Sequence, residues 1–250
     1  MAQQGFVYES NVAKFLKPLG LVPSNFTPAG AGHDQPDLML LYNNSKQGCE
    51  LKITDASAGS LVIKYTPGER MPWGFGTIKK EDKEKIFISE LAKEVNLFKE
   101  IFRQWNKIPY KIDKKLQDDK WLSTAGKLSP RERYTRDHKL FKEIKGKIPA
   151  SKIESYYNKK STYYVNVGTH GFYMMGNKNP YKLKNVPKFS QSADAHWRAR
   201  VQSKGGGSYQ FTFEMGFTVK KKSPYNIGAI SKGNVNINKK NVDLSCFPNL

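Results

Sequence analysis

Hydrophobic and polar residues change period several times along the chain. In residues 6–19, Phe6, Val12, Phe15 and Leu16 fall on one side of a 3.6-residue helix, and Pro18 and Gly20 mark its exit. Residues 22–36 are rich in Pro, Gly, Ala and small polar residues and read as a loop that contains His33 and Asp34. Leu38 to Tyr42 is an unbroken apolar run of strand length, expected to be covered on both faces. Asn43-Asn44 suits a tight turn because asparagine tolerates positive φ. Beyond it, Cys49, Leu51 and Ile53 alternate with Glu50 and Lys52, a strand whose two charged residues project from one face. Ser60 to Tyr65 reads as a third strand, with Lys64 among apolar neighbours.

The rest of the chain begins with a helical pattern. Phe87, Leu91, Phe98, Phe102 and Trp105 recur at helical spacing through 81–106, predicting one long core-packing helix. The stretch to Lys127 has no clear period and reads as a connecting excursion. Ser129-Pro130-Arg131-Glu132 combines a capping box with proline at the first helical position, opening a basic helix to about Lys145. From residue 161 the period falls to two. Strands are predicted over 161–167 and 172–175, then a hairpin of 196–204 and 209–217. In that hairpin Trp197, Ala199, Val201, Tyr209, Phe211, Phe213 and Met215 form a core face. The opposite face carries Arg198, Arg200, Gln202, Gln210, Thr212 and Glu214.

Composition narrows the class. At 250 residues with 38% hydrophobic and 12% aromatic content, the chain is long enough for a substantial core and is not of disordered type. No apolar stretch is long enough to cross a bilayer, and the N-terminus lacks a signal-peptide layout. Two cysteines make neither a disulfide framework nor a zinc site, which suits a reducing cytoplasm. The net charge of +20 is unevenly placed. Residues 1–70 hold six basic and six acidic side chains, leaving 36 basic against 16 acidic beyond them. A neutral start with a strongly basic remainder fits a clamp for a polyanion.

The chemistry concentrates at the first hairpin, where the register can be counted. A two-residue turn sets Asp37 opposite Glu50, whereas a four-residue turn sets it opposite Lys52. In either case Asp37, Glu50 and Lys52 share a face, with opposed Cβ atoms roughly 5 Å apart; an odd-length turn would separate them. Two close carboxylates repel unless a cation lies between them. Their oxygens suit a hard divalent ion, Mg²⁺ or Mn²⁺.

Pro36-Asp37, twelve residues, then Glu50-Leu51-Lys52 resembles the PD-(D/E)XK signature of the restriction-endonuclease-like nuclease superfamily. The likeness covers about the first seventy residues. It implies an α/β fold with a restriction-endonuclease-like core, a mixed β-sheet flanked by helices. To this core the sequence adds a basic helical insertion and a C-terminal β-hairpin region. The corresponding division is 1–106 for the core, 107–155 for the insertion and 156–250 for a β-rich DNA-contacting region, packed as one unit. The resemblance implies Mg²⁺-dependent hydrolysis of DNA phosphodiesters by a restriction-type or foreign-DNA-degrading endonuclease of a prokaryotic or phage-infected cell, with Asp37, Glu50 and Lys52 catalytic. Asp37, Glu50 and the Leu51 backbone carbonyl would be metal ligands. Glu9 resembles the first-helix glutamate that reaches the metal in several branches. Lys64, Arg198, Arg200, Gln202 and Lys204 are the expected contacts to DNA, taken as double-stranded, and a homodimer is compatible. A structure-specific nuclease for Holliday junctions or flaps, or a non-catalytic basic nucleic-acid-binding protein, are the alternatives.

Overall fold

A computed structural model describes residues 2–28, 36–66, 69–106, 129–205 and 208–248. In chain order the elements are α1 (Ala2–Leu16), β1 (Leu38–Tyr42), β2 (Ser45–Lys52), β3 (Ser57–Tyr65), β4 (Trp73–Phe75), α2 (Lys83–Glu94) and α3 (Leu97–Trp105). Then come α4 (Pro130–Leu140), β5 (Ile144–Ile148), α5 (Ser151–Lys159), β6 (Thr162–Val167), β7 (Gly171–Met174), β8 (Ala193–Gly205) and β9 (Ser208–Val219). Among the described residues the chain is thus mixed α/β, with five α-helices and two sheets. It divides into two compact units, each assembled from separated stretches. One takes Met1–Ala56, Ile148–Ala195 and Phe217–Leu250; the other takes Ser57–Lys147 and His196–Gly216. Consecutive blocks ending at 106 and 155 do not coincide with these units, because strands distant in sequence complete each sheet.

The first unit holds a four-stranded sheet in the order β1-β2-β6-β7. β1 and β2 are antiparallel, with Leu38 opposite Cys49 and Tyr42 opposite Ser45. Their turn is Asn43-Asn44 alone, at φ 48° and 58°. β1 alternates between buried Leu38, Leu40 and Tyr42 and half-buried Met39 and Leu41, so it is not fully covered on both faces as expected. β6 joins β2 in parallel, with Glu50 opposite Val165 and Lys52 opposite Val167. That connection needs a crossover, and α5 leads directly into β6. The sequence reading missed α5, whose buried Ile153, Tyr156 and Tyr157 lie within a stretch that looked merely basic.

α1 buries Tyr8, Val12 and Leu16 fully, whereas Phe6 is 45% exposed rather than core-facing. Tyr8, Val12 and Leu16 recur every four residues, so the helix phase follows the tyrosine. A buried tyrosine needs partners for its hydroxyl. Tyr8 donates to the Gly228 carbonyl at 2.7 Å and accepts from Asn166 Nδ2 at 2.9 Å.

The second unit holds a five-stranded sheet in the order β4-β3-β9-β8-β5. Here lies β3, which includes the third strand expected over Ser60–Tyr65, paired antiparallel with β9 so that Leu61 faces Phe213. The single helix expected over 81–106 is two helices, broken where Asn96 takes a left-handed φ of 52°. The break turns Leu97, Ile101 and Trp105 inward and leaves Phe102 38% exposed. The Ser129–Glu132 capping box forms as its spacing indicates. The helix stops at Leu140, and Ile144–Ile148 is strand β5 instead of further helix. Phe141, just past the helix, enters an aromatic core with Trp73, Trp105 and Phe211, whose ring centroids lie 4.9 to 6.1 Å apart.

Candidate functional site

The two-residue turn decides the register left open by the sequence. Counting back from Leu38 and Cys49, Asp37 falls opposite Glu50, and Lys52 follows two residues on, on the same face. Lys52 Nζ lies 2.5 Å from Glu50 Oε1 and 3.9 Å from Asp37 Oδ2. The Leu51 N–H donates to Asp37 Oδ2 at 2.9 Å. In a strand the N–H and C=O of one residue point to the same edge, so the Leu51 carbonyl is presented on the side of Asp37.

The electrostatics are those of a crowded acidic pair. Burial first, then the Glu50 carboxylate, push Asp37 up to about 7 despite Lys52 and the Leu51 N–H. Burial also raises Glu50, but Lys52 and then Lys160 outweigh it and hold this carboxyl below its ordinary range, helped by hydrogen bonds from Lys52 and Asp37. Lys52 is drawn well above the usual lysine value by Glu50 and Asp37, against the effect of its burial. Glu9 is raised, mainly by burial, and is felt by Lys52, Glu50 and Asp37. Glu50 thus holds the negative charge of the pair more firmly and Asp37 keeps a proton more readily, with the Lys52 ammonium beside both.

Two groups at this site were not singled out from the sequence. Tyr157 of α5 donates to Glu50 Oε1 at 3.3 Å. Lys160, at the end of the same helix, places Nζ 5.7 Å and 5.9 Å from the rings of Tyr156 and Tyr157. Both come from a helix that the period reading did not find. The available signal was the pairing of tyrosines and lysines in Tyr156-Tyr157-Asn158-Lys159-Lys160 just before a strand.

Two carboxylates beside the Lys52 ammonium, and a carbonyl on the side of Asp37, are oxygen donors of the kind a hard divalent cation takes. Among the described residues, no group of three or more His, Cys, Asp or Glu could hold a metal by itself. Backbone and water oxygens would complete the shell, as Mg²⁺ commonly requires.

The expected DNA contacts are placed differently. Lys64, Arg198, Arg200 and Gln202 belong to the second unit. Lys64 sits opposite Gly74. Arg198 Nε hydrogen-bonds Glu214, and Arg200 reaches the same Oε1 at 3.1 Å; Glu214 is itself buried. Gln202 accepts from Thr212 Oγ1 at 3.3 Å. The outer face of the β8–β9 hairpin therefore carries an internal network around the buried Thr212 and Glu214, with the Arg198 and Arg200 side chains each 29% exposed. The Lys204 side chain, His33, Asp34 and the excursion 107–127 lie outside what the structure describes.

No helix among the described residues is long and apolar enough to cross a membrane. Compared with known proteins, the sequence matches no family model, and no curated protein or solved structure matches the chain.

Proposed function

We propose that the chain is a metal-dependent nuclease that hydrolyses DNA phosphodiesters at Asp37, Glu50 and Lys52. The observation that carries this reading is the two-residue Asn43-Asn44 turn. It opposes Asp37 to Glu50 and sets Lys52 between them. A helix, this hairpin, and a helix–strand crossover that adds β6 parallel to β2 agree with a restriction-endonuclease-like core.

Asp37 and Glu50, with the Leu51 carbonyl, would hold Mg²⁺ or Mn²⁺. When bound, the metal polarises the phosphate and lowers the pKa of its water. The chain's own groups do the remaining work. The Leu51 N–H fixes one oxygen of Asp37, and Tyr157 anchors one oxygen of Glu50. Lys160 and Lys52 keep Glu50 ionised. Lys52 positions the attacking water and offsets negative charge that builds on the phosphate oxygens. Because Asp37 holds a proton up to about pH 7, cleavage should rise with pH through that value.

The test is cleavage of plasmid DNA by Asp37→Ala and Glu50→Ala. Each should lose activity by about 100-fold or more while retaining DNA binding. Either variant cutting at the wild-type rate would refute the assignment. Lys52→Ala should slow single-turnover cleavage more than it weakens metal affinity. Duplex, branched and single-stranded substrates would separate a restriction-type enzyme from a junction or flap nuclease.

A further inference from the structure

We propose that a pocket in the first unit, just beyond Lys52 in the chain, binds one nucleotide of the polynucleotide strand next to the one under attack. The cavity has a volume of about 540 Å³, and its lining includes Ile53, Thr54, Thr169, Lys222, Ile230 and Lys232. This rests on the nuclease reading for the identity of its ligand, but the pocket itself stands on geometry.

Its place in the fold comes first. β2 and β6 run parallel, and the pocket lies where both end. The Gly168 N–H donates to the Lys52 carbonyl at 2.7 Å, and the Thr169 N–H to the Ile53 carbonyl at 3.3 Å. In open α/β sheets ligands bind beyond the carboxyl ends of the parallel strands. Thr54 is two residues past Lys52, at most roughly 7 Å of chain, a span that one nucleotide covers.

The lining chemistry matches such a ligand. Lys222 and Lys232 are exposed and form no ion pair among the described residues, so both ammonium groups are available to a phosphate. Thr54 adds a hydroxyl donor, Thr169 Oγ1 shares a 2.8 Å hydrogen bond with Nδ1 of His170, another lining residue, and Ile53 and Ile230 offer an apolar patch for a sugar or base. Asp55, the acidic residue of the lining, is exposed and commits one oxygen to the Val219 N–H at 2.9 Å. The two lysines leave the lining cationic overall.

The walls are also set in advance. Gly168 accepts from Ile230 N at 3.1 Å and from Asn226 Nδ2 at 2.9 Å. A Cβ at Gly168 would lie 2.7 Å from Ile230 Cγ1 and 2.8 Å from the Tyr8 hydroxyl oxygen, so the backbone here is tightly packed. Such a site costs little ordering on binding.

The experiment measures binding of a fluorescent DNA oligonucleotide in Ca²⁺ over a range of salt. It compares wild type with the double variant Lys222→Ala/Lys232→Ala. A control, Lys182→Ala/Lys184→Ala, removes two equally exposed lysines from the same unit. The pocket variant should bind at least about tenfold more weakly. Its slope of log affinity against log salt should fall by between one and two, with the control close to wild type. Equal weakening in both double variants, or none in either, overturns the pocket and leaves the nuclease reading standing. A wild type that binds no oligonucleotide at any salt overturns both.

Discussion

Asp37 carries the strongest electrostatic mark of the proposed site. Its pKa, ordinarily 3.8, stands near 7 through burial and the neighbouring Glu50. The folded protein thus keeps a proton that the unfolded chain gives up. Between about pH 4 and pH 7 this group makes the fold less stable as pH rises. Asp37→Asn removes that penalty. At pH 8 the variant should melt several degrees above wild type, and near pH 4 the two should coincide, as thermal melts would read. Adding Mg²⁺ at pH 8 should raise the melting temperature of wild type only. A variant melting below wild type at pH 8 without metal would contradict this account of the pair. Asp37, Glu50 and Lys52 were legible because strand alternation and a short turn place side chains by counting alone. Tyr157 and Lys160 were not, because they reach the site through a tertiary crossover with no local period.

At the scale of elements, the first hairpin is held by its turn. Both asparagines adopt left-handed backbone, which the side chain tolerates at some cost. Asn44→Gly should therefore stabilise the protein by up to about 1 kcal/mol, and Asn44→Val should cost about 1–2 kcal/mol. Urea denaturation would measure both; a destabilising glycine would argue against this turn. The second hairpin teaches the opposite lesson. Its core face was readable from alternation, but its polar face was not, since Arg198 and Arg200 could serve DNA or a buried acid equally well. Both pair with the buried Glu214. Removing both arginines would leave an unpaired buried carboxylate and should cost roughly 3 kcal/mol or more. Unchanged stability with weakened DNA binding would instead return them to the nucleic acid. The single helix read over 81–106 fails for a similar reason. Periodicity continues across Asn96, and only tertiary packing shows that the two halves need different directions.

For the molecule as a whole, charge is distributed by topology rather than by sequence order. The neutral first seventy residues suggested a neutral catalytic part beside a basic remainder. The first unit, however, recruits 148–195 and 217–250, and its stretches contain 17 lysines and arginines against 8 aspartates and glutamates. Lys160, Lys222 and Lys232 arrive this way. The proposed site thus sits in a unit that is net basic, as the proposed polyanionic substrate requires. The α/β class followed from local periods. Which strands share a sheet did not, because β3 parts from β2, the strand before it, and pairs with β9, more than 140 residues on. The central claim meets its most direct test in one assay, supercoiled plasmid DNA incubated with the purified protein at pH 8 in Mg²⁺ or in EDTA. The account predicts cutting in Mg²⁺ that EDTA abolishes. Cutting that persists in EDTA, or DNA bound in Mg²⁺ but left intact across duplex, branched and single-stranded forms, would contradict it.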